Sequence, residues 1–321
     1  MPADPTPSRD TSTPAAVSVV GLVKRYGDRT VLDGVSLSAS LAAVTAVLGP
    51  NGAGKTTTVE ICEGFRRADS GSVRVLGLDP QEHRAELSAR VGVMLQEGGV
   101  YGSVSASDAL THAASLYANP QPVAVLIDRM GLAPVSRLPY KRLSGGQQQR
   151  LGIALAVIGR PEVVFLDEPT AGLDPQSRHA TWELIADLRQ AGVGVVLTTH
   201  YIEEAEQLAD HVVIVDEGSV VATGSPAELT AGAGGEVVRF TGAARLDLSA
   251  LNSALNSALL TAVAVEESPG KYRVSGASAA DLLAAVTGWC STHSVMPTSM
   301  ATDRRSLQDV FLEITGRKLR P

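Results

Sequence analysis

The chain has 321 residues, 44% of them hydrophobic but only 4% aromatic, so a sizeable core has to be built from Val, Leu, Ile and Ala. A formal net charge of -7 gives no general attraction to nucleic acid, and no nucleic-acid partner is expected. Two cysteines, Cys62 and Cys290, lie far apart in no metal-ligand spacing, which does not suggest a disulfide framework and suits a reducing cytosol.

The first 14 residues, rich in Pro, Ser and Thr, lack the apolar stretch of a secretory signal and read as a disordered tail. From 15 to about 230, short apolar runs alternate with longer helical patterns: AVTAVLG, EVVFLD, GVGVVLTTH and HVVIVDEG. Nearly continuous apolar runs of this length are what strands covered on both faces look like, so the pattern predicts an α/β domain with a mainly parallel sheet. No run reaches the ~18–20 uninterrupted apolar residues of a membrane span. The nearest, Val35–Leu48, is broken by Ser and Thr and reads as strand–turn–strand. Residues 231–236, AGAGGE, read as a Gly/Ala linker. A smaller α/β unit over 237–321 follows, ending in SLQDVFLEITGR, where Leu307, Val310, Phe311 and Ile314 recur at helical spacing.

Two segments carry chemistry. Residues 49–57, GPNGAGKTT, fit the phosphate-binding loop G-x-x-x-x-G-K-[ST], between a strand-like TAVL and a helix-like TTTVEIC. Gly49, Gly52 and Gly54, with Pro50, Asn51 and Ala53 between them, let backbone N–H groups converge on phosphate oxygens at a helix N-terminus. Lys55 reaches the β- and γ-phosphates of ATP, the Thr56 hydroxyl is a ligand for Mg²⁺, and Thr57 continues the loop into the helix. Downstream, VVFLDEP ends an apolar strand in two acids: Asp167 suits Mg²⁺ binding through water, and Glu168 suits a general base that polarises the attacking water.

With these residues in place, LSGGQQQR at 143–150 resembles the signature of the ABC ATPases, and the other motifs of that family follow in order over about residues 17–230. The resemblance implies an ABC-type P-loop NTPase: a mainly parallel core, an antiparallel β subdomain and a helical signature subdomain. It implies that Tyr26 stacks on adenine. Gln96 contacts Mg²⁺ or the attacking water, Asp174 reaches across a dimer, and His200 contacts the γ-phosphate. Ser144, Gly145, Gly146 and Gln147 would serve the ATP held by a second protomer, so a homodimer is implied. The segments ICEGFRRADSGSVRVLGLDP and SLQDVFLEITGR resemble ATPases of the daunorubicin-exporter group. They imply an ATP-hydrolysing subunit that powers an exporter through a separate integral-membrane permease, cytoplasmic and peripheral on the inner face of the cell membrane. An importer ATPase and a soluble ABC ATPase are the alternatives. The remaining histidines, 83, 112, 179, 211 and 293, match no motif and read as surface or packing residues.

Overall fold

Positions alternately buried and exposed mark the first strands, β1 (Val17–Tyr26) and β2 (Arg29–Ala39), which pair antiparallel with one face toward the core. The chain then changes sheet, because β3 (Val44–Leu48) is buried at every position and pairs elsewhere. Val35–Leu48 is thus strand–turn–strand, with its strands in different sheets. Helix α1 (Lys55–Cys62) follows, and β4 (Ser70–Val75) completes a three-stranded antiparallel sheet of order β2-β1-β4. This computed structural model describes residues 15–95, 99–231, 236–257, 262–276 and 278–316. The tail at 1–14, residues 232–235 of the linker and Gln96 therefore lie outside the described residues.

After α2 (Arg84–Leu87) and β5 (Val91–Met94) comes a helical segment, α3 (Ala106–Ala114), α4 (Val123–Arg129) and α5 (Gly145–Val157). The chain then alternates through β6 (Val163–Asp167), α6 (Pro175–Gln190), β7 (Gly194–Thr199), α7 (Ile202–Leu208), β8 (His211–Asp216) and β9 (Ser219–Gly224). These strands form a six-stranded sheet of order β5-β6-β7-β3-β8-β9. All neighbours are parallel except β9, which returns antiparallel to β8 through a two-residue turn, Glu217 and Gly218, both with left-handed φ of 48° and 81°. Register then decides what meets at the sheet's end: Leu48 pairs with Thr199 and Asp167 with Thr198. The phosphate loop, the two acids and the histidine all leave the carboxyl ends of adjacent parallel strands, where α/β sheets place their ligands.

A second compact unit begins at Pro226. It holds α8 (Pro226–Thr230), β10 (Glu236–Thr241), α9 (Leu248–Ser257), β11 (Val263–Ser268), β12 (Lys271–Ser275), α10 (Ala279–Thr292), β13 (Ser299–Arg304) and α11 (Leu307–Thr315). Strand β10 already starts at Glu236, inside the stretch read as linker. The antiparallel order β11-β12-β10-β13 is that of a βαββαβ unit. One sheet face packs Phe240, Tyr272 and Val274 against Leu251, Leu282 and Trp289 of α9 and α10. On α11, Leu307, Val310 and Phe311 are buried as the helical spacing predicts, but Ile314 is 42% exposed. Ion pairs rather than a fourth apolar contact fix the helix: Arg239 lies 2.8 Å from Asp309, and Arg273 lies 2.9 Å from Glu313. Both cysteines are buried, and burial pushes the Cys62 thiol up to about 12, so it packs as a small apolar group. His179 and His293 are exposed, the first edge-on to Trp182 and the second stacked on Trp289.

Candidate active site

The loop between β3 and α1 needs its glycines for two separate reasons. At Gly49 a Cβ would fall 2.2 Å from the Val215 carbonyl oxygen, so only hydrogen fits there. Gly52 and Gly54 take left-handed φ of 81° and 103°, which turn the chain tightly into the helix. Gly54 caps α1 without any side-chain hydrogen bond, leaving the first-turn amides to an anion. The Lys55 ammonium, only 4% exposed, folds back to donate to the carbonyls of Gly49 at 2.8 Å and Pro50 at 3.1 Å.

A cavity of about 480 Å³ opens beside this loop, lined by Asn51, Gly52, Gly54, Lys55, Thr56, Thr57 and Glu168, with Tyr26 at its edge. Tyr26 is 43% exposed, and the charged ends of Lys24 and Arg66 stand 5.4 and 5.7 Å from its ring. Such an exposed aromatic face suits stacking on a base. Arg29 and Arg66 also line the cavity. The sequence assigns neither of them a role, and only the fold brings them to the nucleotide side of the loop.

The two acids have distinct surroundings. Asp167 ends β6, and its Oδ1 accepts hydrogen bonds from the hydroxyls of Thr198 and, at 3.3 Å, Thr56. Glu168 turns the chain with a left-handed φ of 48°, uncommon for a residue with a Cβ. Its carboxylate Oε1 lies 3.8 Å from Lys55 Nζ and 3.1 Å from His200 Nδ1. Burial pushes the Asp167 carboxyl up, against the two hydroxyls that favour its ionised form. Burial also holds the Lys55 ammonium down, against Glu168 and Asp167, which favour its charge. One hydroxyl and one carboxylate converging beside a phosphate loop fit Mg²⁺, which takes few protein oxygens and keeps water and phosphate as its other ligands.

At the C-terminal end of α1, the Glu63 carboxyl is pushed up to about 8, first by burial and then by Asp167 and Glu60. The folded chain therefore keeps a proton that the unfolded chain has lost, and stability falls as pH rises from about 4.5 to about 8, then levels. Glu63→Gln removes this dependence. In urea unfolding the variant should match wild type near pH 4 and exceed it by on the order of 2–4 kcal/mol at pH 8. A stability difference independent of pH would refute the assignment.

The signature residues form a separate cluster. Ser144 caps α5, its hydroxyl accepting the Gln147 N–H at 3.3 Å while the Gln147 side chain accepts the Ser144 N–H at 2.9 Å. A Cβ on Gly146 would meet the Ser177 hydroxyl at 2.9 Å, so Gly145 and Gly146 lie against the start of α6, which Asp174 caps. Among the described residues, the lining of the 480 Å³ cavity includes neither this cluster nor Asp174.

A parallel-sheet nucleotide fold with this loop and acid pair defines a P-loop NTPase. Residues 32–171 match the family model described as ABC transporter. A Nod factor export ATP-binding protein of Ralstonia nicotianae is 37% identical over 96% of both chains. A daunorubicin resistance ATP-binding protein of Streptomyces coeruleorubidus is 36% identical over 94% of this chain and 96% of that one. Among solved structures, an ATP-binding subunit of an ABC transporter superposes with a TM-score of 0.62 at 25% identity, covering 67% of this chain and 92% of the other. The chain belongs to the ABC transporter family as an ATP-binding subunit, an ATPase whose hydrolysis drives transport.

Proposed function

We propose that this chain powers the export of an antibiotic, drug, lipid or polysaccharide through a separately encoded integral-membrane permease. In this reading it works as a homodimer held on the cytoplasmic face of the cell membrane by that permease. The export reading is supported by relatives named for Nod factor export, daunorubicin resistance and linearmycin resistance. A separate permease is supported by the absence, among the described residues, of any helix long and apolar enough to cross a membrane. The dimer is supported by the signature cluster, which by the family resemblance serves the ATP of a second protomer and which does not line this chain's own cavity.

The observation that carries the ATPase mechanism is the meeting of Lys55, Thr56, Asp167, Glu168 and His200 at one end of the sheet. Tyr26 stacks on the adenine, and the amides of Gly52, Gly54 and Lys55 hold the phosphates. Lys55 leaves its own loop carbonyls for the β- and γ-phosphate oxygens. Thr56 and Asp167 would hold Mg²⁺, with Gln96 beside it by the family resemblance, and the ion would offset charge on the phosphate oxygens. Glu168 takes the proton of the attacking water, and His200, hydrogen-bonded to Glu168 through Nδ1, orients that carboxylate and meets the γ-phosphate. Every residue named in this chemistry lies before residue 231, and residues 237–321 serve as an accessory unit.

Direction of transport is testable in inside-out membrane vesicles carrying the chain with the membrane protein that co-purifies with it. Added ATP should drive accumulation of a probe such as daunorubicin, or of a lipid-linked oligosaccharide. ATP-driven uptake only in right-side-out vesicles would reverse the reading to import.

A further inference from the structure

Thr198, on β7, lies directly across the sheet from Asp167 and is fully buried. Its hydroxyl donates to Asp167 Oδ1 and accepts the N–H of Glu168 at 3.0 Å. Its backbone carbonyl takes the same N–H at 3.2 Å. A hydroxyl carries one proton and two lone pairs, so both side-chain bonds form together and their polarity is fixed. The amide can only donate, so the threonine proton has to point at the aspartate.

The two residues held this way are the ones whose geometry matters most. Glu168 sits at a φ of 48°, a left-handed turn that is strained for a residue with a Cβ and persists only where neighbours hold it. That turn brings its carboxylate toward Lys55 and His200. On the reading that Glu168 is the general base and Asp167 holds the metal, we infer that Thr198 is a positioning residue: its hydroxyl fixes the angle of Asp167 and locks the strained turn that aims Glu168 at the attacking water. Thr198 touches no reacting atom, and its contribution passes wholly through the two acids.

Thr198→Val keeps shape and removes the hydroxyl, and Thr198→Ser keeps the hydroxyl. The full chain should be assayed for ATP turnover beside both variants and Glu168→Gln. Hydrogen bonds to a charged group set the scale, so kcat in Thr198→Val should drop about 10- to 100-fold, a larger change than any rise in KM for MgATP. Thr198→Ser should recover most of the rate. ATP binding measured by equilibrium fluorescence titration in EDTA should be unchanged in Thr198→Val, while the gain in affinity on adding Mg²⁺ should shrink. If the valine variant does not fold, Thr198→Ala compared with Thr198→Ser gives the same reading. Full turnover in Thr198→Val with an inactive Glu168→Gln would overturn the inference and leave the base assignment standing. Equal losses in the valine and serine variants would also overturn it, by assigning the effect to packing. Wild-type turnover in Glu168→Gln would instead remove the base assignment, and this inference with it.

Discussion

Glu168→Gln is expected to slow ATP turnover by about 10²–10⁴-fold, the range a positioned general base supplies, while nucleotide binding persists. The substitution keeps the side chain's length and its capacity to hydrogen-bond with His200, which lies 3.1 Å from the carboxylate. Nothing in it disturbs the backbone, because the Glu168 N–H is held by Thr198 whatever side chain it carries. What disappears is the negative oxygen able to take a proton from water. The same oxygen lies 3.8 Å from Lys55, so its loss frees the ammonium for the phosphates and removes a charge that repels them. Binding should therefore hold or tighten, and with MgATP the purified variant should run on size exclusion as a stable dimer. Turnover within a few-fold of wild type would place the base elsewhere.

Much of the cassette is legible in the amino-acid sequence, for identifiable physical reasons. Strands β3, β6 and β7 are buried at every position, so their sequences are nearly continuous apolar runs rather than the alternation of half-exposed strands. The phosphate loop stands out because three constraints coincide in nine residues: glycines at left-handed or crowded positions, a lysine, and a hydroxyl opening a helix. Thr198 could not be found this way. It is one of two threonines before His200, and its partner Asp167 lies 31 residues earlier, joined to it only by strand register. Arg66 escaped for a similar reason: only the fold sets it over the Tyr26 ring. The spacing on α11 placed four apolar residues on one face, whereas the helix is short and its far turn is taken up by ion pairs, which leaves Ile314 in water.

Replacing Lys55 should separate binding from folding more sharply than any other change in the loop. The side chain is 4% exposed, and burial already works against its charge. Its two carbonyl contacts at 2.8 and 3.1 Å and its 3.8 Å approach to Glu168 offset that burial without reversing it. Lys55→Met, which keeps the aliphatic stem and drops the ammonium, removes a desolvated charge and its carbonyl bonds together. The melting temperature without nucleotide should therefore change little. Lys55→Ala, which also empties the volume of the stem, should melt lower than Lys55→Met. With nucleotide the balance differs, because the ammonium meets phosphate oxygens that no other lysine in the loop can reach. Charge-assisted bonds of about 1.5–3 kcal/mol each translate to a loss of at least 10²-fold in ATP affinity when two are removed. Equilibrium titration of ATP and thermal melting of both variants decide the matter. Unchanged affinity in a folded Lys55→Met would contradict the phosphate-loop assignment. A collapse of stability without nucleotide would mean that the lysine's first task is to neutralise Asp167 and Glu168, with phosphate binding secondary to it.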